Sequence, residues 1–542
     1  MAAGGRPLAG ILLVCALSLG LSLFHTRSLP LIDRDEGRYA EAAREMLSAG
    51  DWLVPRLFGV AYLEKPPLFY WLTAAACRTF GVDELGARLV SAVSGAAAVL
   101  AAGLFARRTL GDRAGVIASL VLATSGLHLV LARVAITDAL FSALLGGALM
   151  AYFIAEAEHR SFLPFWLLAA AATLTKGPVA AVLCGLTILG HLAVLGDWRT
   201  LRSGRFWLGL PLYLALAGSW LALLEARFPG FLYFYVYKEH LLRAAGDEHR
   251  QAFYWYVPWV LAGFLPWTPM LAAAAPAIAE RLRQATPAGV AVRFAVVWAA
   301  TVLLFFSVPR GKLVPYILPM FPALAIVLGD ALARWTSGQA RLGSMPRAFG
   351  SVGAVLLVAP AALPLAVHFA PIPVPIPYVV AVAGALLAAG AAVLAVRRRG
   401  DERAPVAVAA VVALLQCGAA ILAPSIARRL TTHPVVEILR ARLTAADGFV
   451  HYSGYFPNVP FYLGRVPYFM FGNRELDFGV SLEGNGPWLV DTMRQLEERL
   501  ERRRTFFVLR TRERDLQALA RLPGHVEVLH RGRTSSLVEY RP

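Results

Sequence analysis

Residues 86–106 read GARLVSAVSGAAAVLAAGLFA, an apolar run with one charged residue, Arg88, and Arg107 and Arg108 follow at once. An α-helix needs about 20 mostly apolar residues to cross the roughly 30 Å hydrocarbon core of a bilayer. The stretch therefore predicts a membrane-spanning helix that ends at two arginines.

Twelve further apolar runs of this kind occur along the chain. They lie near residues 8–24, 114–132, 138–155, 162–175, 177–195, 206–226, 257–278, 291–308, 313–333, 349–369, 376–396 and 404–424. With 58% hydrophobic and 16% charged residues and a mean hydropathy of +0.59, the composition excludes a water-soluble protein. We expect a polytopic α-helical membrane protein with about 13 transmembrane helices and with its termini on opposite sides.

The positive charges indicate the orientation of these helices. The net charge is +17, but the arginines form short clusters between apolar runs rather than one basic face, which argues against nucleic-acid binding. Because cytoplasmic loops collect Lys and Arg, clusters such as 107–113, 199–205 and 397–403 predict a cytoplasmic N-terminus and a periplasmic C-terminus in a bacterial inner membrane. The first run is interpreted as an uncleaved helix, since no small-x-small cleavage site follows it.

Three long segments then face outward: residues 25–85, 227–256 and the tail from about 425. The tail predicts helices near 434–444, 490–503 and 513–521 and strands near 449–453, 505–510, 526–531 and 535–540. We therefore expect a transmembrane domain over 1–424, with a periplasmic first loop at 25–85, and a small periplasmic α/β domain over 425–542.

The first outward loop carries the leading candidate residue, Asp35. Residues 33–48, DRDEGRYAEAAREMLS, have apolar residues at helical spacing and charged residues elsewhere around the helix, which predicts a helix lying on the membrane surface. Asp35 at its start could be a simple helix cap or a functional carboxylate. Tyr62, Glu64 and Lys65 follow in the same loop and favour the functional interpretation.

Other outward segments add a second carboxylate and several cations. Asp138 and Lys176 mark two outward turns, and residues 307–319, SVPRGKLVPYILP, contribute Arg310, Lys312 and Tyr316. The outward cations Lys65, Lys176, Arg243, Arg310 and Lys312 break the usual charge pattern, so a compensating anion such as a lipid phosphate is expected.

The motifs also limit the cofactors and the function classes. No nucleotide-binding or HExxH motif occurs, and no cytoplasmic loop is large enough for a nucleotide site, so an activated donor must arrive through the membrane. No cofactor is required, although a divalent metal held by Glu64 and His240 is kept as an alternative. The span interiors contain almost no charged residues, which disfavours a transporter or lipid flippase.

Several motifs together resemble one enzyme family. They are DEGRYAEAAREMLSAGDWLVPRL, YLEKPPLFYW, the TKG at 175–177, KEH followed by an arginine, FFSVPRGKLVPYILP and the terminal EYRP. The chain resembles the aminoarabinose transferases of lipid A modification, which are GT-C glycosyltransferases related to protein O-mannosyltransferases. It departs from that family at Gly37, where several members have Thr, and at Pro67 and Leu68, where members have a single nonpolar residue.

The resemblance implies thirteen transmembrane helices, a periplasmic α/β domain, an undecaprenyl phosphate aminoarabinose donor and a lipid A phosphate acceptor. It also implies Asp35 and Asp138 as catalytic acidic residues. The carrier-phosphate and substrate contacts would be Arg38, Tyr62, Glu64, Lys65, Lys176, Arg243, Arg310, Lys312 and Tyr316.

The mechanistic hypothesis is an inverting transfer from the lipid phosphate. Lys65, Arg243 and Lys312 would hold the carrier phosphate. Asp35 would position or deprotonate the acceptor, and Asp138 would support the sugar or the cationic centre. A hexosyl transferase of the mannosyl type that acts on protein or glycan remains the alternative.

Overall fold

The computed structural model describes residues 5–32, 34–242, 250–368, 376–397, 401–471, 476–483, 489–490, 492–500 and 503–542. The chain forms two compact units. The first, here called the membrane unit, comprises Met1–Phe24 and Ser91–Ala419. The second, the loop–tail unit, comprises His25–Val90 and Ala420–Pro542, so the first outward loop and the tail fold together.

Apolar helices make up the membrane part of the chain. They are Gly5–Leu23, Glu84–Leu110, Asp112–Ala123, Gly126–Leu131, Thr137–Ala157, Leu163–Lys176, Val179–Leu195, Leu210–Arg227, Tyr256–Gly263, Thr268–Arg283, Pro287–Ser307, Phe321–Thr336, Met345–His368, Ile376–Val396 and Arg403–Leu430. Short helical turns occur at Arg199–Arg202, Gly204–Trp207 and Phe253–Trp255, with a π-helix at Tyr233–Leu242 and a 3₁₀ helix at Val314–Met320. Each of the thirteen predicted runs lies on one helix or on two consecutive helices, which confirms the prediction of a polytopic helical protein.

The helices differ in their capacity to cross a bilayer. Among the described residues, nine are long and apolar enough, or ten if one bent pair is counted as a span. That pair, Phe253–Gly263 with Thr268–Arg283, bends by 103°. Leu163–Lys176 and Val179–Leu195 are shorter, and the break between them falls at Gly177, whose φ of +85° a side chain would disfavour.

Small residues let the helices of the membrane unit approach closely. A Cβ atom added at Gly103 would lie 2.0 Å from Ser119 Oγ, and one at Gly115 would lie 2.8 Å from the Gly103 carbonyl oxygen. Where lipid surrounds the protein, such backbone contact replaces the hydrophobic drive that packs helices in water.

The described residues of the loop–tail unit form two sheets. In the loop, helix Asp35–Ala49 precedes a hairpin of β1 (Arg56–Leu57) and β2 (Val60–Ala61) and the helix Leu68–Phe80. The tail has strands β3 (Gly448–Tyr452), β4 (Phe469–Phe471), β5 (Leu489–Val490), β6 (Thr505–Leu509), β7 (His525–Arg531) and β8 (Ser536–Arg541). Its helices are His433–Arg442, Asn458–Leu463, Asp477–Glu483, Met493–Leu500 and Glu513–Leu519.

The tail sheet has the order β5-β4-β3-β6-β8-β7, parallel from β5 to β6 and antiparallel at β8 and β7. Apolar side chains cover both faces: Val450 and Tyr452 point to one core, and Phe449 points to the other. The small α/β fold predicted for the tail is thus confirmed, with β4 and β5 as additions.

The helix Asp35–Ala49 does not present its charges to a surface as predicted. Glu36, Glu41, Arg44 and Glu45 are all buried. Arg44 donates two hydrogen bonds to Glu41, at 2.6 and 2.7 Å, and the Glu45 carboxylate accepts from the backbone N–H groups of the hairpin turn at Phe58 and Gly59. The expectation of a surface helix was wrong because these charges find partners within the unit.

Candidate active site

Asp35 begins its helix with an exposed carboxylate. Its side chain is 69% exposed, and its Oδ1 accepts a hydrogen bond from Arg38 one turn later at 2.5 Å. The residue in the capping position is Arg34, whose side chain makes no capping hydrogen bond. Asp35 therefore presents a charged oxygen to the outside of the unit.

Arg38, which pairs with Asp35, lies close enough to the buried Tyr62 and to a second carboxylate, Glu64, to interact with both electrostatically. Its guanidinium lies 5.7 Å from the ring centre of Tyr39 and is largely covered. The buried Tyr62 hydroxyl donates to Glu64 Oε2 at 2.9 Å. Burial, and then the Glu64 carboxylate, raise the pKa of Tyr62, so this phenol stays protonated as a donor.

The structure thus groups five of the predicted residues in the loop–tail unit: Asp35, Arg38, Tyr62, Glu64 and Lys65. Lys65 follows Glu64 directly, and both side chains are half-buried.

In the membrane unit, Asp138 and Lys176 form a buried ion pair. Asp138 lies in the first turn of helix Thr137–Ala157, and Lys176 is the last residue of helix Leu163–Lys176. The Lys176 ammonium donates to Asp138 Oδ1, and the two side chains are only 10% and 11% exposed. Lys176 Nζ also lies 4.7 Å from the ring centre of Tyr316 and 5.4 Å from that of Phe141. The Lys176 ammonium is thus attracted both by the Asp138 carboxylate and by the face of the Tyr316 ring. These contacts bring the three predicted residues together.

A cavity of about 550 Å³ lies at the turn formed by residues 307–312, a few residues before Tyr316 in the sequence. Two chain segments form it, because Gln251 N–H donates to the Arg310 carbonyl at 3.0 Å and Arg250 pairs with Gly311 in an antiparallel bridge. Lys312 is buried, and its ammonium donates to the carbonyls of Pro309 and Gln251. Desolvation lowers the pKa of Lys312.

The cavity is strongly basic. It is lined by Arg250, Gln251, Ala252, Phe253, Ser307, Val308, Arg310 and Lys312. Three of these residues are cationic, and no acidic residue is found among the described ones that line it. Phe253 and Val308 are 75% and 84% exposed, so apolar surface adjoins the charges. Such a combination suits an anionic headgroup that carries a hydrocarbon chain.

Two predicted residues cannot be placed in this way. Arg243 lies outside the described residues, and the structure describes the backbone of His240 but not its side chain. Within the described part of the chain, no group of three or more His, Cys, Asp or Glu side chains could hold a metal ion. The Glu64–His240 metal alternative therefore stays a prediction.

Sequence reasoning missed three residues that shape these sites. Arg250 was visible in its outward segment but was not selected. Glu36 and Arg88 form a buried pair with two hydrogen bonds, at 2.8 and 2.7 Å. The available signal was Arg88 itself, a lone arginine in an apolar run, because such a charge is expensive unless it is paired.

Solved structures of known proteins show which fold class this chain belongs to. Two crystal structures of ArnT from Cupriavidus metallidurans share this architecture. The complex with undecaprenyl phosphate matches with a TM-score of 0.86 and 26% identity, and covers 99% of this chain and 98% of that one. The apo form matches with a TM-score of 0.84 and 27% identity over the same shares. The chain has the GT-C fold of these membrane glycosyltransferases.

The sequence matches point to particular relatives. The chain is 33% identical over 319 residues to the undecaprenyl phosphate-α-4-amino-4-deoxy-L-arabinose arabinosyl transferase of Pseudomonas aeruginosa, which covers 57% of this chain and 56% of that protein. The enzyme of the same name from Aeromonas hydrophila is 31% identical over 309 residues, or 55% of each chain.

These alignments span little more than half of the curated relatives. A family model described as dolichyl-phosphate-mannose-protein mannosyltransferase matches residues 64–222. The resemblance inferred from the motifs is confirmed, and the chain is a multi-pass membrane protein.

Proposed function

We propose that this chain is an inverting glycosyltransferase. It moves 4-amino-4-deoxy-L-arabinose from undecaprenyl phosphate to a phosphate of lipid A at the periplasmic face of the bacterial inner membrane. Its N-terminus is cytoplasmic and its C-terminus is periplasmic. The observation that carries the proposal is the likeness, over 99% of the chain, to ArnT bound to undecaprenyl phosphate.

The basic cavity is the proposed site for the carrier phosphate. Arg250, Arg310 and Lys312 would neutralise the phosphate as it leaves the sugar, which lowers the barrier because charge develops there in the transition state. The exposed Phe253 and Val308 would contact the first prenyl units. Lys65 and Arg243 are proposed as further phosphate contacts.

The two carboxylates receive different roles. A phosphate acceptor is already anionic near neutral pH, so it needs positioning more than deprotonation. Asp35, exposed and paired with Arg38, is proposed to orient the acceptor. Asp138, fixed by Lys176, is proposed to support the sugar or its cationic centre.

Mass spectrometry of lipid A tests the proposal. The chain is expressed in cells that lack their own aminoarabinose transferase but make the lipid-linked donor, and aminoarabinose should appear on lipid A. Arg310→Gln and Lys312→Met should each lower the transfer rate about 10–100-fold, since each removes a charge from the leaving phosphate. Arg113→Gln, an exposed arginine paired with Glu402 in the same unit, is the matched control and should keep the wild-type rate. Unmodified lipid A with wild-type protein in the membrane would refute the proposed substrate.

A second candidate is a polyprenyl-phosphate-hexose transferase that acts on protein or glycan. The match of residues 64–222 to the mannosyltransferase model favours it. Membranes supplied with labelled polyprenyl phosphate mannose separate the two candidates, because label in protein or glycan would support the alternative.

The proposed reaction needs no cofactor. A chelator should therefore leave transfer unchanged. Loss of transfer that Mg²⁺ or Mn²⁺ restores would instead support the Glu64–His240 site.

A further inference from the structure

The main chain just before Asp35 is held by the tail. Leu31 N–H donates to the Tyr462 hydroxyl at 2.8 Å, and the Leu31 carbonyl accepts from Asn458 Nδ2 at 2.9 Å. Tyr462 in turn donates to Glu84 Oε1 at 2.8 Å, so its hydroxyl both accepts and donates. One short helix, Asn458–Leu463, thus binds both backbone polar groups of one buried loop residue.

A second set of contacts holds the same loop from within. Ile32 N–H donates to Glu36 Oε2 at 2.7 Å, and Arg88, paired with Glu36, donates to the Leu29 and Pro30 carbonyls at 2.6 and 3.0 Å. The segment is therefore fixed on both sides within a few residues of Asp35.

The backbone at Arg34 explains why this fixing matters. Arg34 has φ +72° and ψ −79°, a conformation that residues with a side chain rarely adopt. Such strain persists only where the surroundings impose it, and it concentrates at functional positions. Arg34 immediately precedes Asp35, so a relaxed loop would redirect the carboxylate.

The tail helix also touches the first turn of the Asp35 helix. A Cβ atom at Gly37 would lie 1.8 Å from Asn458 Oδ1 and 2.7 Å from the Asn458 backbone nitrogen. Position 37 can therefore carry no side chain while Asn458 stays in place.

We propose that the helix Asn458–Leu463 is a clamp that positions Asp35, with Asn458 and Tyr462 as positioning residues for sugar transfer. The inference rests on the proposed function, since it requires Asp35 to act in the reaction. It assigns a role to the tail domain: the domain sets the geometry of the first loop. A misplacement of about 1 Å costs on the order of 100-fold in rate, so small movements at Leu31 should be visible in kcat.

Two substitutions test the clamp. Asn458→Ala and Tyr462→Phe should each lower kcat about 10–100-fold with little change in the KM for either substrate, because they displace a reacting group rather than a binding surface. Tyr462→Phe removes only the hydroxyl and keeps the ring, so it still tests the clamp if Asn458→Ala does not fold. Tyr540→Phe is the matched control: it removes a hydroxyl that donates to the Pro523 carbonyl at 2.7 Å in the same unit, and kcat should be unchanged.

A double-mutant cycle separates positioning from general stability. In the Asp35→Asn background, Asn458→Ala should not lower the residual rate, measured over long incubations, any further. An equal loss in both backgrounds would show a merely structural role and overturn the clamp, as would wild-type kcat in both variants. A wild-type chain that transfers no aminoarabinose overturns the proposed substrate instead, and the cycle then tests the clamp with the donor that the chain does use.

Discussion

Asp35 and Asp138 are two carboxylates in the same local setting with opposite environments. Each lies in the first turn of a helix and accepts a hydrogen bond from a cationic side chain. Asp35 is 69% exposed, whereas Asp138 is 11% exposed. Solvent screens the first pair, while the second is held in a medium that screens little. The comparison indicates that Asp138 contributes to stability and that Asp35 is available to a substrate.

The largest expected effect on the free energy of unfolding comes from breaking the buried pair. Asp138→Ala leaves the Lys176 ammonium buried without its anion and should destabilise the protein by about 3–5 kcal/mol. Denaturant unfolding in detergent micelles measures the change. The double variant Asp138→Ala/Lys176→Met should recover much of it, because no charge remains unpaired. If Asp138→Ala is as stable as the wild type, the claim that Asp138 contributes to stability is wrong.

An intermediate effect is expected from a buried group that has no ionic partner. His451 is fully buried in the loop–tail unit beside Phe58 and Phe456, and neither ring nitrogen has a hydrogen-bond partner among the described residues. Burial lowers the pKa of His451 from 6.5 to about 3. The stability that its neutral form provides is therefore complete above pH 6.5 and is lost as the pH falls toward 3.

This dependence gives a measurable slope. Between pH 6.5 and 5 the free energy of unfolding should fall by about 2 kcal/mol through His451 alone. His451→Phe should remove that component and flatten the pH profile, whereas the exposed-site variant His525→Phe should leave it unchanged. An unaltered slope in His451→Phe would show that the ring is not titrated on unfolding in this range.

The smallest change in stability is expected at Asp35. Asp35→Asn should alter the free energy of unfolding by no more than about 0.5 kcal/mol, because an exposed ion pair contributes little. The proposed lipid A modification should nevertheless fall to a trace that only long incubations detect. Asp112→Asn, which removes an exposed carboxylate paired with Arg107, should change neither quantity. Retained transfer in membranes would remove Asp35 from the mechanism.

Much of the fold could be predicted because its signals are local. The run at 86–106 and its twelve counterparts were recognisable from hydropathy, and strands such as Thr505–Leu509 from short apolar runs bounded by turns. The breaks within runs were harder to predict. The helix Asp112–Ala123 ends where Thr124, Ser125 and Gly126 interrupt the run at 114–132, a local signal that is easily overlooked within a long apolar run.

The site was predictable in its residue types but not in its pairings. Lys176 and Asp138 were both chosen, yet only the fold shows that they bind each other across 38 residues. Glu36 was expected at a surface because an amphipathic pattern cannot reveal a distant partner such as Arg88. The short strand Leu489–Val490 is too brief to give a periodic signal.

The pairing of Leu31 with Tyr462 spans 431 residues of sequence, and this distance has a consequence for synthesis. At a translation rate of about 5–20 residues per second, the first loop waits roughly 20–90 s for its partner to emerge. During that interval the Leu31 amide and carbonyl must form hydrogen bonds with water or with a chaperone. The nascent enzyme would therefore remain inactive until the ribosome has nearly finished, and ribosome-stalled chains that lack residues beyond 457 should show a protease-sensitive first loop.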